Sequence, residues 1–212
     1  MSVYFKDKSS TADFVDAVPD KCPICHHKIS PQLEIALYST HDIPCQDIDV
    51  VWRCPNHQCN RLFISYYQNK IYQYSTPNIP ENIKMDENLS KFSPRFEQIY
   101  KQALAAKTYG LSELVGIGFR KALEILIKDF CVYKHPTEIE KIKKSTLHEC
   151  IKQYCENNVQ RSANKCKVLG NDETHYERKY EERDINDLEK LLNVTLHWIS
   201  SDFILDSYDD LG

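Results

Sequence analysis

Cys22-Pro23-Ile24-Cys25 and Cys54-Pro55-Asn56-His57-Gln58-Cys59 decide how the first part of this chain folds. Two close cysteine pairs, with 28 residues between them, match the ligand count of a tetrahedral structural zinc site. Each pair sits in a short turn, so a few residues aim two sulfurs at one point. Proline follows the first cysteine of both pairs and stiffens the turn, so the pairs resemble one another as the halves of a zinc ribbon do. The reading is one structural zinc ion per chain on Cys22, Cys25, Cys54 and Cys59. Reduced cysteines clustering by chance would leave the repeated Cys-Pro unexplained. A disulfide framework belongs with secreted chains, and nothing else here has that character.

Strand signals surround the two pairs. Leu33 to Tyr38 is short and apolar, and Arg61 to Gln68 and Lys70 to Ser75 are β-branched and aromatic with a polar break at Asn69. That pattern predicts a hairpin leaving the second pair. Residues 1–80 therefore read as a small β zinc ribbon and 81–93 as a linker. Residues 94–212 take the helical period, which makes the fold class α+β, a ribbon followed by an all-α bundle of about five helices.

Within that second part the expected helices are Pro94 to Gly110, Ser112 to Val132, Thr146 to Glu156, Val159 to Leu169 and one starting at Asp184. Ser93 is the N-cap expected for the first, Ser145 for the third and Asp184 for the last. Gly110 and Gly170 read as stops. Leu123, Leu126, Ile127 and Phe130 form one apolar stripe; Ile185, Leu188, Leu192, Thr195 and Ile199 form another. Gly116 and Gly118 predict close packing of the second helix on a neighbour. Glu138 to Lys144 reads as a solvated helical face.

The chain has 212 residues, 27 basic and 31 acidic, and a formal net charge of −4. Such a surface does not attract nucleic acid as a whole, so any contact with it needs a local basic patch. No apolar run is long enough to span a membrane, and the opening Met1-Ser-Val-Tyr-Phe-Lys-Asp-Lys does not read as a signal peptide. The expected setting is cytoplasmic with reduced thiols. Of the other cysteines, Cys131, Cys150, Cys155 and Cys166 fall in helical patterns and read as small buried hydrophobes. Cys45 with His41 and Asp42 is a weak candidate for a second metal site. His26, His27 and His57 flank the ligand cysteines and read as neighbours of the site, not ligands. There is no Walker loop, no His-Glu-x-x-His and no nucleophile elbow.

Several phrases of the second part, Tyr100-Lys-Gln-Ala103, Gly118-Phe-Arg-Lys-Ala-Leu-Glu124 and Leu169-Gly-Asn-Asp-Glu-Thr-His175 with the closing amphipathic helix, carry a family likeness. Over most of residues 94–205 they resemble domain-of-unknown-function family 4145, a helical domain often attached to prokaryotic defence proteins and similar to the HEPN superfamily. That resemblance implies a HEPN-like bundle, a homodimer, and RNA, DNA or a protein as partner. HEPN ribonucleases as a class carry an arginine, four to six residues, then a histidine, and cleave RNA without metal. Histidine moves a proton near neutral pH and arginine holds the charge building on phosphoryl oxygens.

His175 stands where the family histidine would. The corresponding arginine positions are filled by Gly170, Leu169 and Val168, with Lys167 one residue further. Arg178 or Arg120 is then the arginine an enzyme would use. Asn171, Glu124 and Lys167 complete the set of candidate binding residues, and Arg120 with Glu124 is spaced for an intrahelical ion pair. The incomplete motif favours a binding or scaffold protein; the alternative is a metal-independent endoribonuclease.

Overall fold

The computed structural model describes residues 3–6, 12–38, 47–81, 85 and 87–208. The chain divides into two compact units, residues 1–81 and 82–212. The protein is α+β, with the strands in the first unit and the helices in the second.

In the first unit β1 (Val3–Lys6) and β2 (Ala12–Val15) pair as an antiparallel hairpin. A second antiparallel sheet has the order β3 (Gln32–Tyr38), β4 (Ile48–Arg53), β5 (Leu62–Gln68), β6 (Ile71–Thr76). Asn69 and Lys70, both with positive φ, make the two-residue turn of the predicted hairpin. Strands β1 and β2 lie outside the predicted strand segments, and so does β4. Its Ile48, Val50 and Trp52 alternate inward and pair across the ladder with Tyr67, Ser65 and Phe63 of β5, and all six are buried. The two polar members are satisfied. Ser65 Oγ lies 2.7 Å from Ser75 Oγ, and the Tyr67 hydroxyl donates to Ala17 O at 2.9 Å. Cys22 and Cys54 close the end of this small core.

The second unit is built around α3 (Ser112–Lys134), which packs against α2 (Pro94–Thr108), α4 (Ile139–Lys144), α5 (Leu147–Tyr154), α6 (Asn157–Asp172) and α7 (Ile185–Asp206). Leu123, Leu126, Ile127 and Phe130 are buried along α3, as are Leu188, Leu192, Thr195 and Ile199 along α7. Burying each large apolar side chain stabilises by about 1.5–3 kcal/mol, so α3 is the element the bundle depends on. The five predicted helices are α2, α3, α5, α6 and α7. Two short ones stand beside these: α4, on the stretch read as a solvated helical face but with Ile142 buried in the core, and α1 (Glu87–Phe92), which occupies part of the stretch read as a linker.

Local chemistry explains where the boundaries moved. Thr146, not Ser145, caps α5, because Glu149 at the third position completes a reciprocal capping box. The Ser145 hydroxyl donates instead to Lys141 O at 2.9 Å. Ser93 keeps the N-cap position of α2, but its hydroxyl is given to Asp129. Gly110, at φ 70°, does end its segment. Gly170 does not: α6 runs on to Asp172. A Cβ on Gly170 would lie 3.1 Å from Arg120 Cδ, so this glycine admits a crossing side chain and stops nothing. Gly118 allows α2 against α3, where an added Cβ would meet Ala103 Cβ at 2.8 Å.

Candidate metal centre and the polar cluster after α6

The turns that carry the four cysteines are built alike. The Cys22 N–H donates to His27 O at 3.0 Å and the Cys54 N–H to Arg61 O at 3.0 Å, so each first cysteine closes its own loop. The residue after each second cysteine, His26 or Asn60, takes positive φ and turns the chain back, and its N–H bonds Cys22 O or Asn56 O. Asn56 organises the second turn further: its Oδ1 accepts from Gln58 N, and its carbonyl accepts from Cys59 N.

This geometry brings Cys22, Cys25, Cys54 and Cys59 together with their sulfurs all within 4.8 Å of one another, close enough to hold a metal ion. Cys25 Sγ and Cys54 Sγ, one from each turn, are 3.7 Å apart. The edge of a tetrahedron built on ~2.3 Å metal–sulfur bonds is ~3.8 Å, so the donor set fits. Peptide and amide groups point at the sulfurs, Ile24 N at 3.4 Å from Cys22 Sγ and Asn56 Nδ2 at 3.9 Å from Cys25 Sγ. Burial opposes ionisation at Cys25, Cys54 and Cys59. At Cys25 it is outweighed by hydrogen bonding to the His27 backbone and to neighbouring side chains, which brings the thiol down to about 6. At Cys54 burial wins and the thiol rises to about 12; Cys59 moves the same way. Four sulfurs this close carry charge together only around a cation, which takes the place of their protons.

Among the described residues no histidine joins this cluster. His57 is exposed, and the exposed His27 turns its Nδ1 to Cys25 O at 3.0 Å. Cys45, His41 and Asp42 lie outside the described residues. Cys131, Cys150, Cys155 and Cys166 are buried in the helical core, as small hydrophobes should be.

The second cluster follows α6. Arg120 on α3 reaches across Gly170, and its Nε donates to Asn171 Oδ1 at 2.6 Å. The expected Arg120–Glu124 pair does not form. Glu124 lies 3.3 Å from both Lys121 and Lys128 on its own helix, and these hold its carboxyl below its ordinary value against the effect of burial. Arg178 donates to the buried Glu173 carboxylate and to Arg183 O, with its Nε 3.7 Å from Asp172 Oδ2. Asp172 itself accepts from Lys179 N at 2.7 Å and Tyr180 N at 3.1 Å. Those backbone donors, with Arg178 and His175 nearby, hold its carboxyl below the ordinary value, whereas burial pushes Glu173 up. Asp172 and Glu173 are the anchors the sequence reading missed; an Asp-Glu pair closing a helix beside a later arginine was their only signal.

His175 is exposed in the turn after α6, its backbone N–H bonded to Asp172 O at 3.2 Å. Among the described residues no hydrogen bond joins it to Arg178 or Arg120, because both guanidiniums are engaged elsewhere. Lys167 is also apart: it lies 3.0 Å from Nδ1 of His148 on α5. Since the helix ends at Asp172, His175 and Arg178 do not share a helical face. No protein-family model matches this chain, and no curated protein or solved structure matches it either.

Proposed function

We propose that this chain is a zinc-stabilised binding or scaffold protein, a zinc ribbon joined to a HEPN-like bundle, with a nucleic-acid or defence-associated partner and a homodimeric state. The observation that carries the reading is the convergence of four cysteine sulfurs from two matched turns. A closed four-thiolate site leaves zinc no open coordination position, so the ion would hold the sheet and its turns together and do no chemistry. Cys22, Cys25, Cys54 and Cys59 would be its ligands, and Asn56 and the backbone amides would steady their charge.

A binding role for the helical unit is supported by what its candidate catalytic groups do. Arg120 braces Asn171, Arg178 clamps Glu173, and His175 stands in solvent without either. A phosphate in flight between two oxygens needs a proton carrier and a cation aimed at one point. The test is to measure zinc in purified protein, then incubate parent and His175→Ala chains with a mixed RNA pool in chelator. Bound zinc and intact RNA in both samples are the expected results. Cleavage by the parent that vanishes in His175→Ala would replace this reading with a metal-independent ribonuclease.

A further inference from the structure

We propose that the groove between α6 and α7 binds a nucleotide unit, its base laid on Tyr180 and its phosphate held by Lys165, Arg183 and Lys190. The site rests on the reading of a nucleic-acid-associated protein given above and supplies the place where contact would occur.

The groove is a cavity of about 590 Å³ within the helical unit, inside the ~300–1,000 Å³ range of ligand sites. Its floor is Leu169 and Leu191, and its wall carries Val168 and Tyr180, which stay 43% and 47% exposed. An exposed aromatic ring beside exposed aliphatic surface is an unfinished apolar contact. The rim is cationic: among the described residues of the lining, Lys165, Arg183 and Lys190 stand against the single carboxylate of Asp187. Asp187 is shared between Arg183 at 3.8 Å and Lys190 at 3.4 Å, and among the described residues Lys165 has no acidic partner. Glu181 and Glu182 follow Tyr180 in the chain, but neither lines the cavity. In a chain of net charge −4, this is the local basic patch that contact with phosphate requires.

The shape of the lining selects the ligand. Four apolar residues are too few for an acyl chain but suffice for one planar ring, and Asn164 offers an amide donor and acceptor to a base edge. A ring bearing an anion at a short distance is the chemistry of a nucleotide, whether free or within a single strand. Stacking on tyrosine tolerates any base, so the preference expected is for unpaired over duplex nucleic acid.

The experiment compares the full-length parent with Tyr180→Ala and with the double variant Lys165→Ala/Lys190→Ala. Fluorescence anisotropy would follow a labelled adenylate decamer and calorimetry would follow AMP. All these side chains are exposed, and circular dichroism checks that each variant is folded. Expected is about tenfold weaker binding for Tyr180→Ala, and for the lysine variant a log–log salt slope smaller by ~1.4. Binding of the decamer alone identifies a strand as the ligand, and binding of AMP as well identifies a free nucleotide. Decamer binding unchanged in both variants overturns the groove but leaves a nucleic-acid partner in place. No binding of either probe by the parent overturns the groove and the nucleic-acid partner together.

Discussion

Cys25 Sγ and Cys54 Sγ lie 3.7 Å apart although 29 positions separate them in the chain. Two turns with the same internal hydrogen bonding create that proximity, and each contributes one half of the thiol cluster. The core beside it is small among the described residues, where eight buried hydrophobic residues, Cys22 and Cys54 among them, make it up. Such a unit has little stability of its own. Structural zinc supplies ~10–16 kcal/mol in comparable peptides at neutral pH, so Cys54→Ser should release metal and leave residues before position 81 open to protease. The helical unit, with its own larger core, should keep its far-ultraviolet dichroism. Metal content equal to the parent would refute the site.

The cysteine pairs were legible because their signal is local: ligand type and spacing within six residues. Helix α3 was legible for a related reason, since its apolar period repeats over 23 residues. Strand β4 was not, because Ile48-Asp-Val-Val-Trp-Arg53 is short and its inward alternation is interrupted by Val51. Gly170 misled for a different reason. A glycine near a helix end has the same appearance whether it frees φ or frees space, and only the approach of Arg120 from another helix separates the two. The fates of Arg120 and Arg178 are likewise long-range, with a partner 51 positions away for the first.

Arg120 and Asn171 should behave as a structural couple. Their bond is short, charge-assisted and partly buried, and such bonds are worth about 1.5–3 kcal/mol. Arg120→Ala and Asn171→Ala should each destabilise by that order, and the double variant by less than their sum, with a coupling of about 0.5–3 kcal/mol. Arg120→Lys should not rescue, since it lacks the Nε–H that makes the bond. Denaturant melts of the four chains measure the cycle; strict additivity would free Arg120 for another role.

Gly118 and Ala103 should be interchangeable in volume but not independently. An added Cβ at Gly118 would stand 2.8 Å from Ala103 Cβ, closer than two such carbons sit. Gly118→Ala should therefore cost about 1–3 kcal/mol despite the better helix propensity of alanine. Ala103→Gly alone should cost about 1 kcal/mol from propensity. Together they should recover most of the clash, so that the double variant melts above Gly118→Ala. A double variant less stable than Gly118→Ala would mean that α2 and α3 do not meet here.

Asp172 should make the helical unit sensitive to acid. Its carboxylate accepts the Lys179 and Tyr180 amides and faces Arg178 and His175, and these hold its folded pKa below the unfolded value of about 3.9. A depressed carboxyl stabilises the folded state fully above the unfolded pKa. That contribution is lost as pH falls through the lower folded value. Neighbouring Glu173 is raised by burial and titrates in the opposite sense, so the assignment needs the variant. Asp172→Asn keeps an acceptor oxygen but not the charge. It should melt below the parent at pH 7, and the gap should narrow as both are titrated below about pH 4. The helical signal at each pH measures this, and a gap that stays constant into acid would show that the charge of Asp172 contributes nothing to the turn that follows α6.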